Sequence, residues 1–65
     1  MKILLNGEAF ATDAKTLDGL CARLGFADAK IATAVNGNVV AAAARSVTQL
    51  APADEVEIVA PRQGG

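Results

Sequence analysis

The sequence predicts an α+β fold in which a mixed β-sheet packs on one helix. Two Asn-Gly pairs each separate two short apolar runs, one stretch repeats apolar residues at helical spacing, and the last apolar run alternates with charged residues. A chain of 65 residues holds a single small core, so these segments are expected to form one domain.

The first segment predicts a β-hairpin. In "KILLN", Ile3 and Leu5 share one face and the residues beside them share the other, which is the period-two pattern of a strand. Asn6-Gly7 follows, and Asn-Gly is the strongest short signal for a hairpin turn because both residues tolerate positive φ. "EAFAT" is then the returning strand.

The next segment predicts a helix with one apolar stripe. Thr16 is a suitable N-cap and Gly25 supplies a left-handed stop. Gly19, inside the helix, costs about 1 kcal/mol against Ala, so this helix depends on packing. The stripe falls at positions i, i+3, i+4 and i+7 and consists of Leu17, Leu20, Cys21 and Leu24.

The rest of the chain predicts a second hairpin and a final strand. "IATAVNGNVV" repeats the strand, Asn-Gly, strand pattern, and "AAAARSVTQL" predicts an irregular connection with one short helical turn. Pro52-Ala53-Asp54 marks a turn, and "EVEIVA" is a strand with Val56, Ile58 and Ala60 on one face. The resulting ββαββ-β order is the β-grasp arrangement, in which the first and last strands are parallel neighbours at the centre of the sheet.

Composition excludes several classes of function. Six basic and seven acidic residues give a net charge of −1 without a basic run, which does not favour nucleic acid as a partner. The first apolar stretch is too short for a signal peptide or a membrane span, so we expect a cytoplasmic protein that does not bind a membrane. One cysteine and no histidine exclude an internal disulfide, a Ser–His or Cys–His nucleophile pair and a thiolate cage for a metal. We therefore expect neither an enzyme nor a chain that binds a metal or cofactor itself.

The last five residues, "PRQGG", predict a tail that presents a carboxylate. Pro61 cannot donate a ladder hydrogen bond, so residues 1–60 are expected to form the β-grasp domain and residues 61–65 a flexible tail. Gly64 and Gly65 lack a Cβ and can therefore enter a narrow channel in another protein. The terminal carboxylate is ionised at neutral pH and resists nucleophiles until it is activated, for example by joining it to AMP.

At this point the sequence resembles the thiamine-biosynthesis sulfur carrier family, ThiS, along its whole length. The matching motifs are "MKILLNGE", "AVNGNVV", "LAPADEVEIV" and the terminal "GG". Two motifs depart from the family pattern. Members commonly carry Pro-Arg and then Trp after "VNG", where this chain has "AAAARSV", and Gly-Asp before the last strand, where this chain has Ala53-Asp54.

The resemblance implies a ubiquitin-like β-grasp fold and a set of partners. Gly65 would be adenylylated by a ThiF-like adenylyltransferase that uses ATP and then converted to a thiocarboxylate, with sulfur from a cysteine desulfurase or another donor. A ThiG-like thiazole synthase would accept that sulfur. Gly64 would accompany Gly65 in the partner's channel. From the residues themselves, Gln63 and Arg62 are also expected to bind there, and Arg62 either pairs with acidic groups of that channel or serves as a solubilising flank.

Two features of the domain also have functional interpretations. Leu4 and Val59 are predicted to lie together on the open sheet face beside the tail and to contact a partner. Cys21 invites the idea of a sulfur site, but its place on the apolar stripe predicts a core residue.

Alternative functions share the same tail. The chain could carry sulfur for molybdopterin or another pathway, or act as a ubiquitin-like protein modifier conjugated to lysines. A β-grasp interaction module is a further alternative.

Overall fold

The computed structural model describes residues 1–26 and 30–60 of the chain. Five strands form one mixed sheet in the order β2-β1-β5-β3-β4. The strands are β1 (Lys2–Leu5), β2 (Glu8–Ala11), β3 (Ala32–Val35), β4 (Asn38–Val40) and β5 (Glu55–Val59). Helix α1 (Leu17–Arg23) and a 3₁₀ helix (Ala42–Val47) complete the described elements. The predicted α+β fold and the predicted strand order along the chain are confirmed.

Strand β5 is the centre of the sheet. It runs parallel to β1, with Leu4 opposite Glu55, and antiparallel to β3, with Val59 opposite Ala32. Each outer strand pairs with its neighbour through a hairpin. The last strand therefore lies between the two hairpins, as the β-grasp prediction requires.

The two Asn-Gly turns have the conformation that the sequence predicts. Asn6 and Gly7 have φ values of 50° and 84°, and Asn36 and Gly37 have values of 52° and 83°. Two successive residues with positive φ match the twist of two-residue hairpins, which is why Asn-Gly occurs at both places.

One face of the sheet packs on α1 and forms the core. Thr16 caps the helix by accepting a hydrogen bond from the Gly19 backbone N–H at 3.1 Å, and Gly25 follows the helix with a φ of 87°. The apolar stripe of α1 faces the sheet, although Leu24 is only partly buried. The buried apolar residues are Ile3, Ala14, Leu17, Leu20, Cys21, Leu50, Val56 and Ile58. Ala60, which we expected on the core face of the last strand, follows β5 and is exposed.

The alanine-rich connection contains more helix than the sequence predicts. A six-residue 3₁₀ helix forms, and its Arg45 anchors it to β3: Nε donates to Thr33 Oγ1 at 3.0 Å and a terminal guanidinium nitrogen donates to the Ile31 carbonyl at 2.7 Å. The helix is therefore fixed by a contact distant in sequence, which local propensity cannot indicate.

Ala53 adopts a left-handed backbone conformation. Its φ is +71°, which costs a residue with a Cβ roughly 1 to 2 kcal/mol. The family that the sequence resembles usually has glycine at this position. The departure therefore puts a residue with a Cβ into a conformation that favours glycine. The turn is otherwise well bonded, because the Asp54 carboxylate accepts from the Ala51 N–H at 2.8 Å.

Candidate functional site

The predicted tail residues Arg62, Gln63, Gly64 and Gly65 lie outside the described residues. The structure describes the strand from which the tail continues. β5 ends at Val59 and Ala60 is the last described residue before that segment. The segment therefore follows the central strand of the sheet directly.

The end of β5 is held on its β1 side by a side chain. The backbone N–H of Asn6 donates to the Val56 carbonyl at 2.9 Å, and the chain then turns away into the first hairpin. The side-chain amide of Asn6 continues the ladder: Nδ2 donates to the Ile58 carbonyl at 3.2 Å and Oδ1 accepts from the Ile58 N–H at 2.9 Å. Asn6 thus replaces the strand residue that β1 no longer supplies.

The start of β5 is held in a related way from the other side. The Asn36 N–H donates to the Glu55 carbonyl at 2.7 Å, and Asn36 Oδ1 accepts from the Glu55 N–H at 2.9 Å. Asn36 Nδ2 donates to the Asp54 carboxylate at 3.0 Å. Both Asn-Gly turns therefore bind the central strand, one near each end.

The sheet face that points away from α1 is called here the open face, and it carries alanine side chains on both sides of its central strand. The strand register places Ala9 and Ala11 on one side of β5 and Ala32 and Ala34 on the other. Larger apolar side chains on this face belong to Leu4, Val39 and Val59, which are 37%, 85% and 62% exposed. The open face therefore combines low-relief apolar surface with charged side chains of the central strand.

The expectation that Leu4 and Val59 lie together is wrong. Leu4 is opposite Glu55, and Val59 is four residues further along β5, which separates them by about 13 Å along the sheet. β1 ends at Leu5, which is opposite Val56, so it has no residue opposite Val59. Both residues do share the open face, so their predicted role in docking stays a prediction.

Val39 is the residue that our prediction missed. It lies opposite Ala34, and Val59 lies opposite Ala32, so two adjacent alanines of β3 connect the two valines. We call Ala32, Ala34, Val39 and Val59 the valine patch. The alternation of side chains between the two faces of a strand could have indicated that Val39 in "NVV" lies on the open face, since its neighbour Val40 packs against the core.

Two carboxylate side chains of β5 lie beside the valine patch. Glu55 and Glu57 are exposed on the open face, and neither forms an ion pair with another described residue. The one ion pair among those residues joins Arg23 to Asp13 away from this face. A partner that covers the open face therefore has to accommodate or neutralise these charges.

Cys21 is a core residue, as predicted. It is buried on α1, and burial raises the pKa of its thiol; Arg45 lowers this pKa and Asp18 raises it, both to a smaller extent. A buried thiol with a raised pKa is a poor nucleophile at neutral pH, because the thiolate is the reactive form.

The described surface has hollows, but they lie away from the end of β5. Two open hollows of about 470 and 420 Å³ lie beside Met1, at the end of the sheet opposite the end of β5. Within residues 1–26 and 30–60, no three acidic or cysteine side chains come together as a metal site. Neither helical segment in those ranges has the length and apolar character that a membrane-spanning helix requires.

Comparison with known proteins supports the fold and the family resemblance that the sequence indicates. A thiamine biosynthesis protein (ThiS) from Geobacter metallireducens has a similar structure, with a TM-score of 0.83, 26% sequence identity and coverage of 100% of both chains. This similarity confirms the ubiquitin-like β-grasp fold. No curated protein matches the chain. The family model described as the ThiS family matches residues 3–65 and confirms the resemblance seen in the sequence. The chain belongs to the ThiS family.

Proposed function

We propose that this chain carries sulfur for the thiazole ring of thiamine as a thiocarboxylate on Gly65. A sulfur carrier role is supported by the ThiS family and by the thiamine biosynthesis protein of similar structure. The observation that carries the finer proposal is the family match through residue 65, because it includes Gly64 and Gly65.

The proposed chemistry needs a partner at each step. The Gly65 carboxylate attacks the α-phosphorus of ATP on a ThiF-like adenylyltransferase, pyrophosphate leaves, and an acyl adenylate forms. A sulfur nucleophile then attacks the acyl carbon and displaces AMP. With hydrosulfide as that nucleophile, loss of one proton leaves the thiocarboxylate. The sulfur ultimately comes from a cysteine desulfurase or another donor, and a ThiG-like thiazole synthase receives it.

This chain acts as the substrate of those enzymes and binds no cofactor of its own. Histidine is absent from the sequence, and the buried Cys21 thiol does not suit a sulfur site. The reacting group is therefore placed on the segment that follows β5, where Arg62 and Gln63 join the glycines in a partner's channel. We expect this exchange to take place in the cytoplasm, without nucleic acid or membrane.

Docking is proposed to use the open face. Val59 belongs to the valine patch and is separated from the tail by Ala60 alone, whereas Leu4 contributes a separate apolar contact nearer the start of β5. A partner seated on this face would hold the domain while residues 61–65 reach up to about 16 to 18 Å into its active site.

Intact-mass measurement tests the proposal. The protein is incubated with ATP, a sulfide source and a ThiF-like enzyme, and we expect the mass change of one oxygen replaced by sulfur. Deleting Gly65 should abolish the change, and Cys21→Ala should leave it intact. An unchanged mass in the wild type would contradict the proposal.

The same experiment separates the alternatives. Attachment of the chain to lysines of other proteins would indicate a modifier. If the thiocarboxylate forms, transfer of its sulfur to thiazole synthase or to a molybdopterin precursor identifies the pathway. A β-grasp interaction module would bind a partner without any change in its own mass.

A further inference from the structure

The central strand needs a partner for Ile58 that β1 cannot supply. β1 ends at Leu5, and its chain reverses at Asn6 and Gly7 to form the first hairpin. The N–H and carbonyl of Ile58 point toward this end of β1 and would lack a backbone partner there. The Asn6 amide satisfies both groups, at 2.9 and 3.2 Å.

We propose that Asn6 is a positioning residue for the C-terminal segment: it fixes Ile58 as the last residue of β5 held from the β1 side. The functional consequence of this inference rests on the proposed function. If the Asn6 amide is lost, the end of β5 is held only from its β3 side, where Thr33 and Ala32 pair with Ile58 and Val59. A less firmly held strand end lowers the fraction of time that the terminal carboxylate spends at the reacting position.

The chain contains a matched control for this proposal. Asn36 occupies the same position in the other Asn-Gly turn and binds the same strand, but at Glu55 and Asp54, away from the tail. Asn6→Gly and Asn36→Gly each remove two side-chain hydrogen bonds and keep a residue that accepts positive φ. The two variants should therefore lose similar stability at opposite ends of β5.

Amide hydrogen exchange tests the structural half of the proposal. Asn6→Gly should speed exchange of the Ile58 N–H by about tenfold more than that of Glu55, because only the Ile58 acceptor is removed. Asn36→Gly should show the reverse order, since Glu55 donates to Asn36 Oδ1. Equal acceleration at both positions in both variants would mean general destabilisation and would overturn the proposal.

Adenylylation kinetics test the functional half. With the ThiF-like enzyme and the carrier as the varied substrate, Asn6→Gly should lower kcat by about tenfold and leave KM within about twofold, because positioning is lost and the open face is untouched. Asn36→Gly should change neither constant by more than about twofold. Equal losses of kcat in the two variants would contradict a positioning role.

Asn6→Asp keeps one of the two hydrogen bonds. Aspartate tolerates the turn and can still accept from the Ile58 N–H, but its second carboxylate oxygen stands where the donor was and is repelled by the Ile58 carbonyl oxygen. Its kcat should therefore fall below that of the wild type, and a kcat equal to that of the wild type would count against the proposal. If the wild type itself is not adenylylated, the proposed function fails, whereas the exchange comparison still decides whether Asn6 holds Ile58.

Discussion

Ala53 has a φ of +71° in the turn before β5, although alanine disfavours this region. We expect Ala53→Gly to raise the free energy of unfolding by about 0.5 to 1 kcal/mol, because relief of backbone strain exceeds the greater entropy of glycine in the unfolded chain. Urea denaturation, read as a shift of the midpoint, measures this change.

Ala41 is the control for Ala53. It is also exposed and precedes the 3₁₀ helix, but its φ is −68°, where alanine carries no strain. Ala41→Gly should lower stability by a few tenths up to about 1 kcal/mol, since only the entropic term remains. A stabilising effect at both positions would refute strain at Ala53.

The Cys21 thiol links stability to pH. Its pKa is raised by burial in the folded protein, so the unfolded chain loses the proton first as the pH rises. Between the unfolded pKa, about 8.5, and the folded pKa, the native state binds more protons and the free energy of unfolding falls with pH. Cys21→Ala should show a smaller fall over this range in urea denaturation at pH 8 and above. The same decline in both proteins would exclude Cys21 as its source.

At the scale of elements, Arg45 joins the 3₁₀ helix to β3. Two of its guanidinium nitrogens bond Thr33 Oγ1 and the Ile31 carbonyl, and Thr33 is itself only 2% exposed. Arg45→Lys should cost about 1 to 2 kcal/mol of unfolding free energy, because one ammonium group cannot reproduce the planar pair of bonds. Thermal or urea denaturation provides the measurement.

Arg23→Lys is the matched control for Arg45→Lys. Arg23 is 58% exposed and pairs with Asp13 on the surface, where such pairs contribute little. Its replacement should change stability by less than about 0.5 kcal/mol. Equal losses in the two variants would show that Arg45 contributes no more than a surface charge.

The elements differ in how far the sequence predicts them. Both hairpins and α1 follow from signals within a few residues: Asn-Gly, the Thr16 cap and the stripe on α1. The 3₁₀ helix does not, because its stability depends on bonds from Arg45 to residues on β3 and beside it. For the same reason no local pattern reveals that Asn6 and Asn36 bind β5.

At the scale of the whole molecule, the valine patch is expected to determine docking. The double variant Val39→Thr/Val59→Thr keeps β-branched side chains and removes apolar contact, so we expect KM for the carrier to rise about tenfold at the ThiF-like enzyme while kcat stays nearly constant. This outcome is the opposite of that expected for Asn6→Gly.

Val47 is the control for the valine patch. It is 77% exposed, but it belongs to the 3₁₀ helix, which contacts α1 on the other side of the sheet. Val47→Thr should leave KM unchanged within about twofold. A comparable rise of KM in this variant would argue against docking through the open face.

Local signals are sufficient to predict the order of the elements, both turns, the apolar stripe of α1 and the family resemblance, because each depends on neighbouring residues or on short motifs. The strand register, which separates Leu4 from Val59 and joins Val59 to Val39 through two alanines, is fixed by the folded chain. The same is true of the positions at which Asn6 and Asn36 hold β5. These are contacts between residues up to 52 positions apart, and they exist only once the hairpins have closed around the central strand.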